Sequence, residues 1–159
     1  MLIATACAES STAPANQAYF QRVEAFFQTY DSRIEEVKNE FEPQLPLATT
    51  PADVEDILRE QLRTALVAYA AFEDGLAALA PPTDMTNEHG ELLERVSSLA
   101  VVYEEELRRL DEGTETTDRL KREEQRNQVT QAVNALSAQC RTLQEIADSE
   151  GVGVDLVCN

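Results

Sequence analysis

A chain of 159 residues fits one domain, and at about 150 residues folding buries roughly 68–70% of the surface of the unfolded chain, enough for an independent core. The formal net charge of −17 excludes nucleic-acid binding, which needs a basic face to neutralise phosphates, and it repels anionic headgroups as well. With 43% hydrophobic residues at regular spacing, this acidity reads as a solubility device rather than as disorder. Five Gly, six Pro and abundant Ala, Leu, Glu, Gln and Arg favour helix, while Val, Ile and Thr are too scattered to support strands.

The chain opens Met1-Leu2-Ile3-Ala4-Thr5-Ala6-Cys7, an apolar stretch ending in small residues, followed by a polar segment. This resembles the end of a bacterial lipoprotein signal peptide, in which small residues admit the signal peptidase and the next Cys is lipidated. The resemblance implies lipidation at Cys7. Ala4 stands where such motifs usually carry Leu, and the residues before Cys7 are too few for the charged and apolar regions of a signal, so either the translation start is expected upstream or the chain is expected to be a truncated form. Residues Ala8 to Asn16 read as a tether of up to about 30 Å. The expected division is therefore a signal remnant and tether over 1–16 and a helical domain over 17–159.

Four periodic segments follow. In the first, about 17–42, Phe20, Val23, Phe27, Tyr30, Ile34, Val37 and Phe41 recur in steps of three and four and share one helical stripe. Pro43 and Pro46 disfavour helix in the residues before them and end it near Glu42. Thr50-Pro51-Ala52-Asp53 then reads as a helix start, with Thr50 as N-cap, Pro51 at the first helical position and an acid in the first turn. The second helix, about 51–80, carries Val54, Leu58, Leu62, Ala65, Tyr69, Phe72, Leu76 and Leu79 and stops at Pro81-Pro82. The third, about 84–112, presents His89, Leu92, Leu93, Val96, Ala100, Tyr103, Leu107 and Leu110. The fourth, about 117–149, presents Val129, Val133, Leu136, Cys140, Leu143 and Ala147. Short connections and one stripe per helix predict an all-α, up-down-up-down antiparallel four-helix bundle.

Cys140 and Cys158 are spaced to pair. Cys140 lies roughly 15 Å below the end of the last helix, and within the tail over 150–159 the stretch Gly151 to Cys158, extended to about 26 Å, can turn at its glycines and fold back on that helix. Such a bridge is worth roughly 3 kcal/mol in the chain-entropy model and persists only in an oxidising compartment. One cysteine for lipid and two for a bridge account for the odd count of three.

His89 is the only histidine, and nothing beside it in sequence looks like an activated nucleophile. A di-iron site of the ferritin type lacks its paired Glu-x-x-His ligands, and no Cys-x-x-Cys-His attaches a haem. Glu104-Glu105-Glu106 point in three directions on a helix and read as solvated, and Asp148 to Asp155 lacks the ligand spacing of an EF-hand. No metal or cofactor is expected.

The first half of the fourth helix is different. Stepping back from Val129 by threes and fours reaches Arg126, Arg122 and Arg119, so three guanidinium groups fall on the bundle-facing stripe. They are expected beside Tyr103 and Leu107, near Ile34 and Val37. A buried unpaired arginine is not tolerated. Either the three pair with Glu35, Glu36, Glu40 or Glu104, or with Tyr103 they line a cleft for a small anionic ligand, or the helix end runs past the core and they are solvated.

Pro81-Pro82, then His89 and Leu92-Leu93 on the following helix, preceded by Phe72 to Leu79, are similar to small helical bacterial lipoproteins of unknown function. The similarity covers Ala65 to Leu110 and the terminal cysteines. It implies a cell-envelope location, extracytoplasmic and membrane-anchored, and carries over no functional residues. The expectation is a monomeric, non-enzymatic, lipid-anchored module that binds a protein partner or a small anionic ligand, or acts as a spacer. The alternatives are a helical-bundle metal carrier or enzyme using His89 with carboxylates, and a cytoplasmic helical interaction protein.

Overall fold

The computed structural model describes residues 13–112 and 119–158, with side chains described over 15–112 and 126–158. Among the described residues the chain is all-α: four α-helices and no strand. The first, α1, spans Ala13–Phe41, and Phe20, Val23 and Phe27 bury its stripe. It begins inside the segment expected as tether, because Asn16 is buried and its Nδ2 donates to Glu150 and Asp84. Beyond Phe41 the prolines tighten the chain into a 3-10 turn over Glu42–Leu47, where a plain connection was expected.

The second helix, α2, spans Pro51–Ala77 and starts with a capping box. Thr50 Oγ1 accepts from the Asp53 N–H at 3.2 Å, and Asp53 Oδ2 accepts from the Thr50 N–H at 2.8 Å. Its C-terminus falls three residues short of the expected 80, since Pro81 and Pro82 push the residues ahead of them out of the helical region. Gly75 packs under the Phe26 ring, where a Cβ would lie 2.5 Å from Cε1 and the ring would have to shift.

A 3-10 turn over Thr83–Met85 leads into α3, Thr86–Asp111, which buries His89, Leu92, Val96 and Leu99. The last helix, α4, spans Arg119–Ser149 and buries Leu136, Cys140, Leu143 and Ala147. It closes in a Schellman motif: Gly151 adopts φ +72°, its N–H donates to Asp148 O at 3.1 Å, and the Val152 N–H donates to Ala147 O at 2.9 Å. Val152 and Ala147 also meet in the core.

Each helix packs on its neighbour in sequence, α1 on α2, α2 on α3 and α3 on α4. One continuous apolar cluster joins them, drawn mainly from the first half of α1, the second half of α2, the first half of α3 and the second half of α4. Toward the other end the stripes loosen. Val54, Leu58 and Leu62 of α2 are only half-buried, and Val133 of α4 is exposed. The composition of the fourth helix runs the same way, with no apolar residue from Lys121 to Gln128.

Candidate functional site: a cavity at the loosely packed end

A cavity of about 300 Å³ opens between α1, α2 and α3 at this level. Ile34 and Val37 of α1, Leu58, Leu62 and Ala65 of α2 and Leu110 of α3 form its apolar walls. Tyr69 and Tyr103 close one side, their rings stacked with centroids 5.2 Å apart. Burial first, then the neighbouring Tyr30 and Tyr103, keeps the Tyr69 phenol protonated well beyond its ordinary range.

Among the described residues three polar side chains interrupt this lining: Gln61, Lys38 and Glu106. Lys38 is already engaged, its Nζ 2.6 Å from Glu35 Oε1, and that hydrogen bond raises its pKa. Glu106 is not so well satisfied. Its Oε2 is buried and accepts no hydrogen bond, and Arg109 Nη1 stands 4.0 Å away. Burial raises the Glu106 pKa above the usual carboxylate value, Arg109 opposes the shift and Glu105 adds to it. Arg109 is held by Glu105 as well, at 3.3 Å. The Leu110 side of the cavity is pinned by Arg59, whose Nη2 donates to Leu110 O at 2.9 Å and whose Nε lies 3.0 Å from Asp111.

The residues expected to form a cleft are placed unequally. Tyr103, Ile34 and Val37 do meet at one cavity. Arg126 is exposed, so at that position the helix carries its guanidinium into solvent instead of toward the bundle. The side chains of Arg119 and Arg122 lie outside the described residues, as does Cys7. Glu35, offered as a partner for an arginine, is taken by Lys38. Glu106 corrects the reading of Glu104-Glu105-Glu106 as wholly solvated: Glu104 is exposed, but one Glu106 oxygen is buried. The signal for Glu106 was available, since it lies three residues past Tyr103 and so on the same helical face.

The histidine belongs to a second polar cluster at the tightly packed end. His89 is 5% exposed, and its Nδ1 lies 3.1 Å from the Tyr19 hydroxyl. Burial lowers the imidazole pKa, and burial together with Glu88 raises that of the phenol. A protonated phenol donating to Nδ1 leaves the ring proton on Nε2. Gln139 of α4 closes over this pair by donating to Glu88 O at 3.1 Å. Among the described residues no group of three or more His, Cys, Asp or Glu converges as a metal site.

Cys140 and Cys158 are disulfide-bonded, with S–S 2.03 Å and Cα atoms 5.5 Å apart. Gln144 supports the adjoining tail, donating to Val154 O and accepting from the Leu156 N–H, both at 2.9 Å. Glu24 of α1 accepts from the Asp155 N–H at 2.8 Å. Among the described residues no helix is long and apolar enough to cross a membrane. No protein-family model, curated protein or solved structure matches the chain.

Proposed function

We propose that this chain is a non-enzymatic, lipid-anchored helical module of the cell envelope that binds a small ligand in the cavity between α1, α2 and α3. The observation that carries the binding role is the cavity itself. It is walled by aliphatic and tyrosine side chains with a few polar groups, the usual make-up of a small-molecule site, and its size of about 300 Å³ stands at the lower end of that range. The chain acts as a monomer, its helices running up-down-up-down with the C-terminal tail laid back along α4. Contacts between opposite helix ends support that order: Arg59 early in α2 pairs with Asp111 at the end of α3, and Asn16 early in α1 bonds Glu150 just past α4.

The disulfide pair supports an extracytoplasmic site of action, because such bridges persist in oxidising compartments. The sequence around Cys7 supports the lipid anchor through its resemblance to lipoprotein signals. Intact-mass analysis of material extracted from native membranes tests both together. The expected species carries a diacylglyceryl group on Cys7 and no free thiol at Cys140 or Cys158. Unlipidated protein in the soluble fraction with free thiols would overturn the location and favour a cytoplasmic interaction protein.

A further inference from the structure

We propose that the cavity selects a small organic cation, an apolar body about the size of one ring bearing a protonated amine, with the amine seated on Glu106 and the body against Val37, Leu58 and Leu62. This rests on the ligand-binding reading above and adds the chemical class of the ligand.

Among the described lining residues, Glu106 Oε2 is a buried polar atom without a hydrogen bond, its ion-pair contact with Arg109 Nη1 standing at 4.0 Å. Buried carboxylate oxygens are nearly always hydrogen-bonded, so an orphan of this kind marks a place where a donor belongs. Arg109 does not supply it, since at 4.0 Å it is beyond hydrogen-bond reach of Oε2. An ammonium group does, because it carries three donors on a compact charge.

The same lining disfavours an anion. Lys38, the one cation among the described lining residues, is held by Glu35 at 2.6 Å. Among the described lining residues a carboxylate or phosphate entering the cavity would meet Glu106 and no cation that is not already ion-paired, and like charges at close range repel. The net charge of −17 acts in the same sense at long range, raising the local concentration of cations and lowering that of anions. The aliphatic walls set the other half of the selection: a fully hydrated cation gains nothing from Val37, Leu58 and Leu62, whereas an amine on an apolar body buries that body.

The test uses three probes of one shape and different charge, 4-fluorobenzylamine, 4-fluorobenzyl alcohol and 4-fluorobenzoate, titrated against the full chain by 19F NMR. The neutral alcohol is expected to bind weakly, the amine at least tenfold more tightly, and the benzoate at least tenfold more weakly than the alcohol. In Glu106→Gln the amine should fall to the affinity of the alcohol while the alcohol is unchanged, which also shows that the variant is folded. Leu62→Trp, which fills the cavity, should abolish binding of all three. If the alcohol does not bind, the ligand-binding reading fails and the charge preference falls with it. If the alcohol binds and the amine is no tighter, the charge preference alone is overturned. A benzoate that binds best overturns it in favour of the arginine row, and an amine preference that survives Glu106→Gln overturns it in favour of general surface attraction.

Discussion

Burial favours the neutral form of the His89 imidazole, whose Nδ1 lies 3.1 Å from the Tyr19 hydroxyl, and this makes one residue answerable to pH. Burial lowers the His89 pKa from its ordinary 6.5, so the unfolded chain takes up a proton at a pH where the folded chain still resists it. The folded state then binds fewer protons, and stability rises with pH in that window. His89 burial therefore costs nothing extra above the unfolded value, and stability declines as pH falls through 6.5 toward the folded-state value beneath it. Tyr19 of α1 bonds the ring, while the neighbouring Glu88 carbonyl of α3 accepts from Gln139 of α4. Thermal melts at pH 7.0 and pH 5.5 are expected to show a lower Tm at the acid value for the natural chain. His89→Phe keeps an aromatic ring against Tyr19 without a titrating nitrogen, so its melting temperature should change less between the two. The variant will be less stable overall, since the Tyr19 hydroxyl loses its partner, but only the difference between pH values is diagnostic. Equal pH dependence in both proteins would show that the titration lies elsewhere.

At the scale of the helices, what was legible in the sequence is what neighbouring residues decide among themselves. Thr50, Pro51 and Asp53 predict a helix start because a side-chain oxygen, a preset φ and a first-turn acid all act within one turn, and the capping box is built from them. Thr50→Ala removes the acceptor for the Asp53 N–H and is expected to cost about 1 kcal/mol, which for a domain of this size lowers Tm by roughly 2–4 °C. Differential scanning calorimetry reads that change directly, and Thr50→Ser, which restores an oxygen, should recover most of it. The double prolines were equally legible, although the residues they expel from α2 were not counted correctly, because the effect reaches back past the residue immediately before them. The start of α1 was missed for the opposite reason. Ala13 to Asn16 carry only Ala and Pro as apolar residues, and what orders Asn16 is a bond to Glu150, far away in the chain. The arginine row shows the same limit: a stripe continued by counting gives a direction relative to its own helix, but whether another helix stands there depends on how far the core extends. Arg126 projects where the core has already ended. Leu58, Leu62 and Leu110 lie on the stripes read from the sequence, but that they line a cavity depends on how neighbouring helices meet, which counting along one helix does not give.

For the molecule as a whole, the decisive constraint is the link between the tail and α4. A chain of 159 residues with a core concentrated toward one end has modest reserves, and closing a loop of 18 residues removes conformations mainly from the unfolded ensemble. The chain-entropy model assigns such a loop about 3 kcal/mol, a large share of the roughly 5–15 kcal/mol by which ordinary domains are stable. The link also sets what else the tail can do. Leu156 is fully buried and Val152 nearly so, and both sit in the common cluster with Leu143 and Ala147, so the bridge and the apolar contacts hold the same segment from two sides. Cys158→Ser, compared with the natural chain in urea, should lower stability by about 3 kcal/mol with a somewhat steeper slope, because the unfolded chain without its cross-link exposes more surface. Leu156→Ala in the intact disulfide background should cost about 2–5 kcal/mol through the cavity it leaves. If the bridge and the packing support one docked tail, the double variant should lose less than the sum of the two single losses, since a tail already released has little packing left to lose. Strict additivity would mean that the tail stays docked without its bridge, and that the disulfide serves only to restrict the unfolded chain.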